Sequence, residues 1–97
     1  MFKIVIKPNA ETDATKAAIW YNIQRERLGE EFLLAFEAKL NEIQLNPNQF
    51  FTVYKNLKRA FLKRFPYGIF FIIDYDTIYI LAIVHTSRNP KTWKKRK

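Results

Sequence analysis

The chain contains no cysteine, which excludes a disulfide framework and any thiolate metal site and fits a reducing compartment. Glycine is nearly as scarce, with only Gly29 and Gly68, too few for a Gly-rich loop that cradles phosphate. His85 is the single histidine. With no second histidine and no carboxylate at ligand spacing, neither a metal site nor a cofactor is expected. No Gly-x-Ser-x-Gly segment surrounds Ser87, and neither Thr86 nor Thr92 has an orienting acid nearby, so serine-hydrolase chemistry is rejected. The longest uninterrupted apolar run, Ile78 to Val84, has seven residues, whereas a membrane-spanning helix needs about 20. Met1 to Pro8 alternates with lysines and lacks the apolar block of a signal peptide. The expectation is a cytoplasmic protein with no membrane partner, folded by packing alone.

What is present suffices for a core. Ninety-seven residues, 48% hydrophobic and 16% aromatic, suit one domain over 1–97, with 90–97 as a basic C-terminal tail. The net charge of +8 is unevenly placed. Residues 1–49 hold six Lys/Arg and seven Asp/Glu, and residues 50–97 hold eleven and two. A half at +9 favours a polyanion or an acidic protein partner.

Alternation from Phe2 to Lys7 predicts a first strand, closed by Pro8. Asn9 is a good N-cap for a helix from Ala10 to Arg27, in which Ala14, Ala17, Ala18 and Tyr21 form a stripe of mostly small residues. Gly29 is placed as that helix's C-cap. Glu30 and Glu31 open a second helix carrying Phe32, Phe36, Leu40 and Ile43, which Asn46-Pro47 stops. Two helices so closely joined form an antiparallel hairpin. Lys58–Phe65, Tyr67–Tyr75 and Thr77–Thr86 then read as strands of an antiparallel meander. Phe50–Tyr54 reads equally as a fourth strand or as a packed loop. The fold class is therefore α+β: strand, two-helix hairpin, three- to four-stranded meander.

Lys55, Lys58, Arg59, Lys63 and Arg64 cluster around the first meander strand, and Arg88, Lys91, Lys94, Lys95, Arg96 and Lys97 follow the last. In strand geometry Arg59 and Lys63 share a face with Phe61 and Phe65. Lysines at a sheet edge also block unwanted strand pairing, but the lack of compensating acids favours a surface that binds phosphate or carboxylate. His85, at a strand end, fits a hydrogen-bonded structural role better than that of a general base. Trp20-Tyr21 fits core packing. Trp93 among lysines suits an anchor for the tail, a stacking platform or a partner's pocket.

The ordered set Trp20-Tyr21, Leu28-Gly29, Phe32, Asn46-Pro47, Arg64-Phe65-Pro66-Tyr67, Ile78 to His85, and Arg88-Asn89-Pro90 with Trp93 resembles the RelE/ParE superfamily, toxins of type II toxin-antitoxin systems that include plasmid-stabilisation proteins. The resemblance implies a growth inhibitor encoded beside an antitoxin whose acidic or amphipathic C-terminal segment wraps it. In the ribonuclease branch, which cuts messenger RNA on the ribosome, it implies roles for Arg59, Lys63 and Arg88, with Arg64 and His85 as further catalytic candidates. That branch commonly has an arginine after the tyrosine that begins the third strand. Gly68 stands there in this chain, and loss of one such donor costs about 2.7–4 kcal/mol of transition-state stabilisation. The His-x-x-Arg-x-Pro ending looks more like the ParE branch, which poisons DNA gyrase. A basic interaction module without toxicity is the third reading.

Overall fold

The computed structural model describes residues 1–87. The elements are β1 (Lys3–Ile6), α1 (Pro8–Gln24), α2 (Leu28–Leu45), a 3-10 turn (Pro47–Gln49), β2 (Phe51–Tyr54), β3 (Leu57–Phe61), β4 (Tyr67–Asp74) and β5 (Thr77–His85). The five strands form one sheet in the order β1-β5-β4-β3-β2. β2 to β5 make an antiparallel meander, whereas β1 pairs parallel to β5. The sheet is mixed, because the helical hairpin between β1 and the meander carries the chain back to the far edge. Phe51–Tyr54 resolves as a strand, with Phe51 opposite Arg59.

Several boundaries differ from the sequence expectation. α1 starts at Pro8, after Lys7 as N-cap and not Asn9, because proline's fixed φ suits the first helical position. It ends at Gln24, and a three-residue link reaches α2 at Leu28. The left-handed residue in that link is Arg27, at φ 69°. Gly29 is not a C-cap but lies in the first turn of α2. A Cβ there would stand 2.1 Å from the Ala18 carbonyl oxygen, so glycine is required by helix contact. The Gly29 N–H donates to Asn22 Oδ1 at 2.7 Å, which gives one orphan donor of the helix start a partner.

One face of the sheet packs on the hairpin. Ala10, Ala14, Ala17, Ala18 and Tyr21 of α1 join Phe32, Phe36 and Ile43 of α2 over Ala60, Ile69, Phe71, Ile78, Ile80 and Ile83. The alanines let α1 approach closely, and the aromatic rings fill the wider space toward α2. Tyr21 stacks on Phe32 at 5.5 Å and meets Phe65 edge-on at 5.0 Å. Fully burying an aromatic or aliphatic side chain of this kind contributes about 1.5–3 kcal/mol. β5 also carries an irregularity, since the β4–β5 register shifts between Phe70 and Phe71. Near it, the Ile83 N–H donates to Asp13 Oδ2 at 3.0 Å, tying α1 to β5 beyond the reach of β1.

Candidate functional site

β3 is shorter than expected. It ends at Phe61, not Phe65, and Leu62 and Phe65 both turn into the core. Their three-residue spacing breaks the strand period of two. Arg64 adopts φ 71°, and Pro66 cannot donate to a ladder. Lys63 therefore lies on an exposed bend, so Arg59 and Lys63 do not share a strand face.

The basic residues separate accordingly. Arg64 points back to the helices, where its Nη2 donates to Glu31 Oε1 at 2.7 Å. Arg25 engages the other oxygen of Glu31 at 3.3 Å. The hydrogen bond from Arg64, with further help from Arg25, holds the Glu31 carboxyl below its ordinary pKa. Lys58 Nζ donates to the Phe50 carbonyl at 3.0 Å and to Thr52 Oγ at 3.1 Å. Lys55 sits in the β2–β3 turn with φ 49°, its Nζ 5.4 Å from the Tyr54 ring centre. Arg88, Lys91, Trp93, Lys94 and the remaining tail cations lie outside the described residues.

Arg59 is different. The face of the sheet away from the helices has its own small core of Leu57, Phe70, Ala82 and Val84. The register places Phe51, Arg59, Phe70 and Ala82 in one row across four strands, and Phe61, Gly68 and Val84 in the next. The Arg59 guanidinium stacks 4.3 Å from the Phe61 ring centre and lies 5.8 Å from that of Phe51. Its stem crosses Gly68, where an added Cβ would meet Arg59 Cγ at 3.3 Å. Gly68 thus opens the space that Arg59 fills. Arg59 Nε is buried with no acceptor among the described residues, a loss of about 1–3 kcal/mol when such a group is left unpaired.

His85 and Tyr67 close the other end of the hairpin from the β4–β5 turn. Their rings meet edge-on at 5.2 Å. His85 Nδ1 accepts the Ser87 N–H at 3.1 Å and lies 2.8 Å from Ser87 Oγ. These contacts hold the ring within its own turn, as a hydrogen-bonded structural role requires. Beside it runs an open groove of about 670 Å3, whose lining includes Asp13, Lys16, Trp20, Tyr21, Tyr67, His85 and Ser87. Tyr21 is in the core at 9% exposure, but Trp20 is 54% exposed, so the Trp-Tyr pair splits between core and groove. Burial, and secondarily the neighbouring Tyr67, raises the Tyr21 pKa. Ile19 and Ile23 are also exposed on α1, a surface that the sequence reading passed over. Their i, i+4 spacing was the available signal.

No group of His, Asp or Glu suited to holding a metal occurs among the described residues. No helix among them is long and apolar enough to cross a membrane.

Comparison with known proteins places this arrangement. A search of curated proteins finds no match. Among solved structures, a chain of the chromosomal ParDE TA system from P. aeruginosa superposes with a TM-score of 0.76 at 18% identity, covering 90% of this chain and 98% of that one. At that identity the likeness concerns the fold, and it extends over nearly all of both chains. The family model of the ParE toxin of type II toxin-antitoxin system, parDE, matches residues 4–90. That span runs from β1 past the His85 turn and takes in both the Arg59 row and the groove: the chain belongs to the ParE toxin family of type II toxin-antitoxin systems.

Proposed function

We propose that this protein arrests growth by poisoning DNA gyrase and that a cognate antitoxin neutralises it. The observation that carries the reading is the family match across residues 4–90. The local chemistry agrees with a target other than ribosome-bound messenger RNA. Gly68 replaces the arginine typical of the ribonuclease branch, and Arg59 occupies the space beside it. Arg64 is committed to Glu31, and His85 uses Nδ1 within its own turn. The cations available to a pentavalent phosphate are therefore fewer than the sequence suggests.

The antitoxin reading is supported by charge and by exposed apolar surface. A half-chain at +9 attracts an acidic segment, and Ile19, Trp20 and Ile23 offer it a hydrophobic strip on α1. The test is expression of the toxin alone and together with the adjacent reading frame. Growth should stop in the first case and resume in the second, and purified gyrase with the toxin should accumulate cleaved DNA. Growth arrest with unchanged plasmid supercoiling and fragmented transcripts would overturn the gyrase reading in favour of a ribonuclease.

A further inference from the structure

We propose that a cleft at the β4–β5 turn, the opposite end of that hairpin from His85, docks a basic segment of a partner protein through an apolar anchor and a cation. The cleft, of about 620 Å3, is lined by Met1, Phe2, Gln44, Leu45, Tyr75 and Asp76. Three segments build it: the entry to β1, the last turn of α2, and the two residues between β4 and β5. Hydrogen bonds tie them together. Gln44 Nε2 donates to the Phe2 carbonyl at 2.7 Å, and the Lys3 N–H donates to the Asp76 carbonyl at 2.8 Å. The inference goes beyond the gyrase reading and does not rest on it.

The floor of the cleft is fixed and its rim is open. Phe2 packs against the core, whereas Leu45 is 74% and Tyr75 94% exposed. Apolar side chains gathered at a cleft mark surface that a partner covers. Tyr75 also holds φ 56°, a left-handed conformation that glycine or asparagine adopts more readily, and its ring adds nothing to the core. The polar groups favour a cation. Asp76 brings a carboxylate, whose Oδ1 accepts the Thr77 hydroxyl at 3.0 Å. The last turn of α2 presents the negative end of the helix dipole, with no basic residue in that turn. Asp74 and Asp76 are the only acids in residues 50–97, so this turn is a local exception to the basic half. The α-amino group of Met1 is the one cation of the lining, at a residue 94% exposed, where water and salt screen it.

Shape decides what carries the cation. Small-molecule sites bury about 70–90% of their ligand, and a cleft with so exposed a rim leaves a free amine half in water. A lysine or arginine beside a leucine or aromatic residue fits better when a protein presents it, because the rest of that protein covers the rim. The stem then lies along Phe2, Leu45 and Tyr75, and the head reaches Asp76. An acidic antitoxin segment is repelled by the same groups. The two ends of the β4–β5 hairpin thus suit partners of opposite charge.

The full-length chain, labelled with 15N, is titrated with three tetrapeptides blocked at both ends: Leu-Arg-Leu-Arg, Leu-Glu-Leu-Glu and Ser-Arg-Ser-Arg. Leu-Arg-Leu-Arg should bind most tightly and shift the amides of Phe2, Gln44, Leu45 and Asp76. Asp76→Asn keeps an oxygen for Thr77 and so keeps the turn, which circular dichroism would verify. It should weaken that binding by about threefold to fivefold, the range of one exposed ion pair. Leu45→Ala, at an exposed position, should weaken it several fold through lost apolar contact. Glu26→Gln, which removes the same charge from the exposed link between the helices, should leave it within about twofold. Equal losses in Asp76→Asn and Glu26→Gln, equal binding of the acidic or the leucine-free peptide, or shifts that cluster away from the cleft would each overturn the proposal. Argininamide binding as tightly as the tetrapeptide would make this a small-cation site. The same four shifts on concentrating the toxin alone would make the occupant a second copy. Either result would overturn the partner-protein reading.

Discussion

The two glycines occupy opposite kinds of space. At Gly29 an added Cβ meets backbone, the Ala18 carbonyl oxygen at 2.1 Å, with the Asn22 amide at 2.8 Å. The helices would have to part, and the Gly29 N–H to Asn22 bond would be stretched with them. At Gly68 the nearest atom is Arg59 Cγ at 3.3 Å, the stem of a side chain that has room to shift outward. Gly29→Ala should therefore destabilise by about 3 kcal/mol, toward the upper end for overpacking, and Gly68→Ala by less than about 1 kcal/mol. Urea unfolding of both variants checks the contrast. Comparable losses at the two sites would mean that the α1–α2 contact is looser than the distances indicate.

At the scale of elements, the bend after β3 is joined to the hairpin by one carboxylate. Glu31 on α2 receives Arg64 from the bend and Arg25 from the end of α1, so three segments meet there. Its folded pKa is lowered from the ordinary 4.5, first by the hydrogen bond from Arg64. A group with a depressed folded pKa contributes stability above its unfolded value, and the contribution disappears as pH falls through the folded one. Glu31→Gln should thus be less stable than the parent at neutral pH, and the difference should shrink as pH drops below 4.5. Thermal melts across that interval provide the measurement, and a constant difference would show that the pair adds no charge-dependent stability. Salt should narrow the gap as well, because the arginines are largely exposed. The same bend shows why parts of the fold escaped the sequence. The helices were legible from apolar residues at three- and four-residue steps, and the strands β4 and β5 from dense runs of Phe, Ile, Tyr and Val separated by Pro66 and by Asp74 to Thr77. Lys58–Phe65 looked like one strand because Leu62 and Phe65 are as apolar as strand residues, and only tertiary burial shows that both turn inward. The parallel pairing of β1 with β5 joins Lys3 to Thr77, a separation that local pattern cannot report. Arg59 was legible as a candidate by its charge. Its aromatic neighbours were partly hidden, since Phe51 comes from a strand the sequence left undecided.

For the whole molecule, the division of charge between the halves separates how fast the antitoxin finds the toxin from how tightly it stays. The helices carry most of the acids, and residues 50–97 carry eleven of the seventeen cations. An acidic antitoxin segment is therefore steered toward the second half, and steering by charge weakens as the Debye length shortens from about 10 Å at 0.1 M salt to about 3 Å at 1 M. The exposed Ile19, Trp20 and Ile23 of α1 are apolar by contrast, and burial of apolar surface does not fade with salt. On the proposed reading, stopped-flow association of toxin and cognate antitoxin should slow by about tenfold or more between these conditions. Dissociation should change much less. Equilibrium linkage supplies the companion test. Antitoxin held at 100 times its Kd should add about 2.7 kcal/mol of stability, which in a domain of this size raises Tm by about 10–20 °C. Trp20→Ala together with Ile23→Ala should shrink that rise while leaving the salt dependence of association in place. Loss of the salt dependence in that double variant, with the Tm rise intact, would assign the anchoring to the basic half and reverse the division of labour.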